Sequence, residues 1–329
     1  MRNELKKNLT YKKIVLILSA LCISSGILSV LLTELAAPIA AATLAALLLF
    51  ESGGAKYCSY LISAALVAIN LVSVFFLGAT FSLWSVIAVS LAHVIYLTYV
   101  KGSEKSEAVF IATTLTSLIL ALGLVIMPMI IQGQASFEVV KDFYTGILDA
   151  IRADFSAAVN AALTELEGNG ANPVIDFETL MALFDSRVSM VISYLIIFAF
   201  VISGVAFKIF SFIATKCSED TSAILTWRFR TSSVFAYFYF IITIASIFMV
   251  DTGSVFAISV LNLGNIFTFV YFYVGFTVAL AYLSRNRRPV SAALLLIVVV
   301  ILFATYALQI LALIGAFHTI RSTQLEPQK

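Results

Sequence analysis

The chain has 329 residues, of which 61% are hydrophobic and 12% are charged, and its formal net charge is +2. Ordinary soluble domains have about 45–50% apolar and about 25% charged residues, so this composition excludes a water-soluble globular protein. Several stretches of about 18 or more residues carry no charge, which is typical of transmembrane helices. The three cysteines have no pair spacing, so neither a disulfide framework nor a zinc site is predicted.

The first part of the chain is predicted to cross the membrane five times after a basic N-terminal tail. The first apolar run is too long for a signal peptide, so it is interpreted as an uncleaved span. The second run is short and rich in alanine. The whole pattern predicts about nine spans, or eight if this second run does not cross. The five predicted spans are residues 14–32, 36–50, 58–77, 83–100 and 108–131.

The only long polar segment is residues 132–187. Apolar residues recur in it at helical spacing from Val140 to Leu166, with Ser136 as an N-cap and Asp176 as the cap of a second helix. This pattern predicts an extracytoplasmic, amphipathic helical hairpin. The segment holds nine acidic and three basic residues, a net charge of −6. Such a surface would attract a cationic ligand, or it would simply keep the hairpin soluble.

The last part of the chain is predicted to cross the membrane four times. These spans are residues 190–210, 233–250, 254–283 and 290–314. The chain therefore has three predicted regions: a transmembrane part (1–131), the polar hairpin (132–187) and a second transmembrane part (188–329). Before the seventh span, Trp227 and Arg228 lie in a segment that mixes apolar and basic residues, as an interfacial helix does. They are candidate partner-docking residues.

The distribution of lysine and arginine predicts the orientation. With the N-terminus inside, the predicted cytoplasmic segments hold 15 of these residues and the outer segments hold five. Basic residues concentrate on the cytoplasmic side of membrane proteins. We therefore expect a multi-pass protein of the cytoplasmic membrane, in contact with lipid, with its N-terminus in the cytoplasm.

Enzyme chemistry is not expected from these residues. The predicted spans hold no acidic residue deep within them, and the chain has no glycine-rich phosphate loop and no metal-binding or nucleophile motif. The sequence therefore predicts a protein that is not an enzyme, without metal or cofactor, and with no nucleic-acid partner.

The candidate ligand site lies in residues 254–283. Polar and aromatic residues there recur three or four apart, so they share one helix face. Gly264, which lies between two asparagines, predicts an interruption of the helix. Two tyrosines of the seventh span would add hydroxyl groups. The alternative is that the asparagines join helices and the aromatic rings fill the bundle. The candidate ligand-binding residues are Asn262, Asn265, Phe269, Tyr273, Tyr237 and Tyr239.

A second candidate surface is the small face formed by Ala37, Ala41 and Ala45. Small residues at every fourth position let two helix backbones approach closely in lipid. This face would pack within the chain or would dock a partner subunit. His93, in the fourth span, is interpreted as a hydrogen-bonded packing residue in preference to a proton relay.

Three stretches together resemble one family. They are LAAPIAAATLAALLLFESGG, AILTWRFR and NLGNIFTFVYFYVGFTVALAYLSRNRR, the last with its asparagine, aromatics and Gly275 in order. The chain resembles the YybS-like family of uncharacterised bacterial membrane proteins. The sequence departs from that family at Arg230, where proline is usual, and after Gly315, where aspartate is usual.

The layout of that family is similar to the substrate-binding (S) components of energy-coupling factor transporters. The resemblance implies a membrane subunit that binds a small molecule and docks, through an alanine face, on a transporter energising module. Here the alanine face lies on the second segment, whereas in those proteins it lies on the first helix. The alternative function is a membrane scaffold or assembly protein that binds other envelope proteins.

Overall fold

The computed structural model describes residues 2–31, 36–50, 57–77, 84–100, 105–168, 176–217, 231–249, 254–285 and 289–325. The regular secondary structure in these ranges is entirely helical, which confirms the all-α prediction. The helices of the described ranges are α1 (Arg2–Leu31), α2 (Ala36–Phe50), α3 (Tyr57–Leu77), α4 (Trp84–Val100), α5 (Lys105–Gln132), α6 (Phe137–Gly168), α7 (Phe177–Ser189), α8 (Val191–Cys217), α9 (Ser233–Met249), α10 (Val255–Leu283) and α11 (Pro289–Leu325).

Three helical stretches are long and apolar enough to cross a membrane: Val109–Gln132, Val191–Thr215 and Val255–Leu283. Six shorter apolar helices accompany them, so the part of the chain that the structure describes holds nine apolar helices, the number of spans predicted. Large apolar side chains also remain on the protein surface, such as Phe248 and Tyr306, at 78% and 74% exposure. A lipid solvent explains that exposure, and the helical membrane bundle is confirmed.

Several helices differ from the predictions: α1 already begins at Arg2, within the predicted tail, and α8 continues to Cys217. α10 is a continuous helix from Val255 to Leu283, so the interruption predicted at Gly264 is wrong. A single glycine costs a helix only about 1 kcal/mol, and no proline lies within α10 to remove a backbone donor. α11 continues past the predicted end of the ninth span, to Leu325, and its 37 residues make it about 55 Å long.

The chain divides into two compact units. One consists of Met1–His93 with Thr114–Val191, and the other of Val94–Thr113 with Ile192–Lys329. In this division the hairpin belongs to the first unit. The three consecutive regions predicted from composition stay a prediction.

In the first unit, α2 is buried almost completely. Twelve of its 15 residues are buried, and α1 packs along it. The Cys22 thiol of α1 lies 3.8 Å from the backbone carbonyl of Ala40, which it reaches as a weak donor. Small alanine side chains permit this close approach of two backbones. At 15 residues, α2 is about 22 Å long, shorter than the roughly 30 Å hydrocarbon core.

The polar segment forms the predicted pair of helices, α6 and α7. The Ser136 hydroxyl accepts a hydrogen bond from the backbone N–H of Glu138 at 3.1 Å, and the Asp176 carboxylate accepts one from that of Thr179 at 2.7 Å. Both predicted N-caps are therefore confirmed. These side chains satisfy backbone donors that the first helical turn leaves free.

An aromatic contact and an ion pair hold α6 and α7 together. The rings of Phe155 and Phe184 stack with their centroids 4.9 Å apart. The Arg152 guanidinium donates to the Asp185 carboxylate at 2.9 Å. Because both charged side chains are half exposed, the ion pair contributes at most about 1 kcal/mol, and the apolar contact is the stronger link.

In the second unit, α10 and α11 cross at two glycines. A Cβ added to Gly275 would overlap the backbone carbonyl of Leu311, and one added to Gly315 would overlap that of Tyr271. The two helix backbones therefore touch where neither residue has a side chain. α9 packs against this crossing through a buried cluster of small and aromatic residues, Ala236, Tyr239, Tyr271, Ala312 and Ala316.

Candidate functional site

The central polar contact of the candidate site joins α10 to the beginning of α8. The Asn262 side-chain oxygen accepts a hydrogen bond from the backbone N–H of Ser193 at 2.9 Å, and its amide nitrogen donates to the Ile258 carbonyl at 2.9 Å. Ser193 is the third residue of α8, where backbone N–H groups have no partner within the helix. Asn262, only 7% exposed, therefore caps α8 from a different helix.

Asn265 binds the same serine. Its amide nitrogen donates to the Ser193 hydroxyl at 2.8 Å, so the two predicted asparagines converge on one residue of α8. Polar side chains in lipid need such partners, since an unpaired amide in an apolar surrounding costs about 1–3 kcal/mol by protein mutational data. These bonds support the helix-packing interpretation of both asparagines. Ligand binding at these residues stays a prediction.

Two of the predicted aromatic residues continue this contact along the same face of α10. The ring of Phe200 in α8 makes edge-to-face contacts with Phe269 and Tyr273, with centroid distances of 6.1 and 5.9 Å. Asn262, Asn265, Phe269 and Tyr273 thus line one seam between α8 and α10. The structure brings together four of the six candidate residues.

The two tyrosines of α9 do not join the seam. Tyr239 is 2% exposed and packs against Tyr271, with ring centroids 5.1 Å apart, in the cluster at the α10–α11 crossing. Tyr237 is 52% exposed. Residues two apart on a helix point about 200° apart, so these two side chains could not share one pocket.

Ser193 and Phe200 complete the seam and were not predicted from the sequence. A serine and a phenylalanine in an apolar span are common, so neither carries a distinctive pattern. The sequence feature that could have indicated Ser193 is its position near the start of a helix, where the backbone N–H groups need a capping acceptor.

The hairpin contains a cavity that the sequence did not predict. It has a volume of about 650 Å³ and lies between α6 and α7. The ion pair of Arg152 and Asp185 forms part of its wall. Its lining residues are Asp149, Arg152, Ala153, Ser156, Phe177, Glu178, Met181, Ala182 and Asp185.

A protein-family model described as "Predicted membrane protein (DUF2232)" matches residues 13–318. The match spans nearly the whole chain, including the hairpin, the α8–α10 seam and the α10–α11 crossing. The chain belongs to this family. No curated protein and no solved structure matches the chain.

The predicted docking residues of this DUF2232 protein have different environments. Ala37, Ala41 and Ala45 are all 0% exposed, so the small face of α2 is covered within the chain. This burial supports packing within the protein, and docking of a partner on α2 would first require the helix to be uncovered. Trp227 and Arg228 lie outside the described residues.

His93 is placed as a packing residue in this family member. Its Nδ1 lies 2.8 Å from the Val89 carbonyl, one turn earlier in α4, and its ring lies against Tyr60 of α3 at 6.2 Å between centroids. A carbonyl accepts but does not donate, so the contact assigns the proton to Nδ1. Among the described residues, no group of three or more His, Cys, Asp or Glu side chains is arranged to hold a metal ion.

Proposed function

We propose that this protein is a non-catalytic membrane scaffold whose α6–α7 hairpin binds a protein partner with a basic surface. The observation that carries the proposal is the hairpin's charge: net −6, with every carboxylate of its described side chains exposed. A surface of one sign favours encounter with a partner of the opposite sign and disfavours others. By contrast, the side-chain amides of Asn262 and Asn265 are both hydrogen-bonded to Ser193 of α8 in the same protein.

One of these carboxylates, Asp176, is held in its charged form by its neighbours. For Asp176, hydrogen bonds from Thr179 lower the pKa of its carboxyl group below the ordinary value. The cavity adds a concave surface with Asp149 and Glu178 on its walls. A lysine or arginine side chain of a partner would find there both carboxylates and an apolar wall for its methylene groups.

Site-specific photo-crosslinking tests this proposal. A crosslinking residue replaces Asn160, which is exposed on α6, in the full chain in its native membrane. We expect one defined protein adduct that weakens as ionic strength rises, because salt screens exposed charges. Replacing Asp149 and Glu178 by Asn and Gln should remove most of the adduct, whereas Glu138→Gln, outside the cavity, should preserve it. An adduct insensitive to salt and to the double replacement contradicts the proposal, as does the lack of any adduct.

The second candidate function is a small-molecule-binding membrane subunit similar to an S component, working with a transporter energising module. The observation that favours it is the seam itself, where neutral amides and aromatic rings line one side of α10. Native mass spectrometry of gently purified protein would detect a bound small molecule. Its loss in Asn265→Ala but not in Tyr237→Phe would favour this function. An unliganded mass in both forms would favour the scaffold.

A further inference from the structure

We propose that the apolar stripe of α6, made of Tyr144, Ile147, Leu148 and Ile151, rests on the lipid surface and holds the hairpin in the plane of the membrane. This inference does not depend on the proposed scaffold function, which uses the acidic side of the hairpin.

The first step is a hydrogen bond between α6 and α5. The Tyr144 hydroxyl donates to the backbone carbonyl of Leu124 at 2.7 Å. Pro128 lies four residues after Leu124 inside α5 and has no N–H, so the Leu124 carbonyl lacks its usual helical donor. Tyr144 supplies the missing hydrogen bond. This hydrogen bond holds Tyr144 of α6 beside Leu124 of α5.

The second step is the depth of Leu124 in the membrane. From Glu107, the last charged residue before the apolar stretch of α5, to Leu124 is about 26 Å along the helix axis. The hydrocarbon core is roughly 30 Å thick, so Leu124 lies near the far boundary of the core. The last residues of α5 extend past this boundary. Gly133, with a φ of +67°, then reverses the chain so that α6 returns to Leu124.

The third step is the direction of α6. Beyond Tyr144 the helix carries Asp149, Arg152 and Asp154, and a charge at the centre of the membrane costs about 2.5–3.5 kcal/mol on insertion scales. α6 therefore cannot continue inward. A single residue, Met190, separates the end of α7 from the next span, which begins at Val191, so both ends of the hairpin are tied to the membrane.

The fourth step is the exposure of the stripe. Tyr144 contacts α5, and Phe155, farther along the same face, contacts α7. Between them Ile147, Leu148 and Ile151 are 40%, 39% and 48% exposed. A helix at the bilayer interface buries such a face at the boundary of headgroups and acyl chains. The occupant that the geometry selects is therefore lipid.

Spin labels on single cysteines test the proposal. The full chain, with Cys22, Cys58 and Cys217 replaced by alanine, is reconstituted into phosphatidylcholine vesicles and labelled at one position at a time. The stripe positions are Leu148 and Ile151. The controls are Gly146, where an added Cβ meets no atom within 4 Å, and Asn160, both on the opposite side of α6.

Collisions with oxygen, which dissolves in lipid, and with a water-soluble nickel chelate are then compared. We expect an oxygen-to-nickel accessibility ratio several-fold higher at Leu148→Cys and Ile151→Cys than at Gly146→Cys and Asn160→Cys. Equal ratios at all four positions overturn the proposal. Low accessibility to both reagents at the stripe also overturns it, because a protein surface would then cover the stripe. The photo-crosslinking result does not enter this comparison, so the two proposals fail separately.

Discussion

Asp176 shows how a single side chain controls the beginning of α7. Its carboxylate accepts hydrogen bonds from Thr179, and these bonds, from the side chain first and the backbone N–H second, lower the pKa of the carboxyl group in the folded protein. A lowered folded pKa means that the contribution to stability is present above the unfolded pKa, near 3.8, and is lost as pH falls through the folded value.

We therefore predict that the first turn of α7 becomes less protected from amide hydrogen exchange as pH falls below about 4. Asp176→Asn should remove this pH dependence, because asparagine caps helices as well as aspartate and does not titrate there. Asp176→Ala should reduce protection at every pH. If Asp176→Asn showed the same acid transition as the native chain, the assignment to this carboxyl group would be wrong.

The bond between Tyr144 and Leu124 gives a second prediction. Tyr144→Phe should lower the free energy of unfolding by about 1 kcal/mol, because the Leu124 carbonyl loses its donor. In a Pro128→Ala background the helix itself supplies a donor, so the same change should cost much less. Burial raises the pKa of Tyr144 above its ordinary value, so its hydroxyl remains a donor at neutral pH.

A double-mutant cycle in detergent measures this coupling. If Tyr144→Phe lowered the free energy of unfolding equally in the native and the Pro128→Ala backgrounds, the interpretation would be wrong.

The asparagines provide a third prediction at the scale of single residues. Asn262→Ala should destabilise the protein by about 1–2 kcal/mol and Asn265→Ala by about 0.6 kcal/mol, because Asn262 makes two hydrogen bonds and is more deeply buried. The double variant should cost less than the sum, since both bonds end on Ser193. Thermal unfolding in detergent checks these values. Loss of a bound small molecule without loss of stability would instead support the binding-subunit function.

Among the helices, the crossing of α10 and α11 depends on two positions without side chains. Gly275→Ala and Gly315→Ala should each destabilise the protein by about 1–3 kcal/mol, because the new Cβ overlaps a backbone carbonyl that cannot rotate away. The matched control is Gly264→Ala on the same helix, whose Cβ would meet Ile242 at an ordinary 3.4 Å.

The control should leave stability unchanged or raise it slightly, since alanine favours helix over glycine by up to about 1 kcal/mol. Unfolding in a detergent series distinguishes the three variants. Equal behaviour of Gly275→Ala and Gly264→Ala would contradict the close crossing.

At the scale of the whole molecule, the orientation in the membrane stays a prediction based on 15 inner and five outer basic residues. A membrane-impermeant maleimide should label Asn160→Cys in intact cells. A cysteine in the basic N-terminal tail should be labelled only after the membrane is opened. Both variants require the three natural cysteines to be replaced. The reverse labelling pattern would show that the hairpin faces the cytoplasm.

The sequence by itself determined the helical membrane architecture, the ends of most helices and the caps at Ser136 and Asp176. These features depend on local patterns: uncharged runs that only lipid can solvate, and polar side chains beside free backbone N–H groups. The shared face of Asn262, Asn265, Phe269 and Tyr273 also follows from helical spacing.

Only the tertiary structure decided what those residues contact. Ser193 is hydrogen-bonded to both Asn262 and Asn265. Tyr239 packs in a different cluster, and the Leu124 carbonyl accepts a hydrogen bond from Tyr144. These pairs lie between 20 and 72 residues apart in sequence. Partners at such separations are chosen by the packing of whole helices, because no local pattern of residues specifies which faces of two spans will meet.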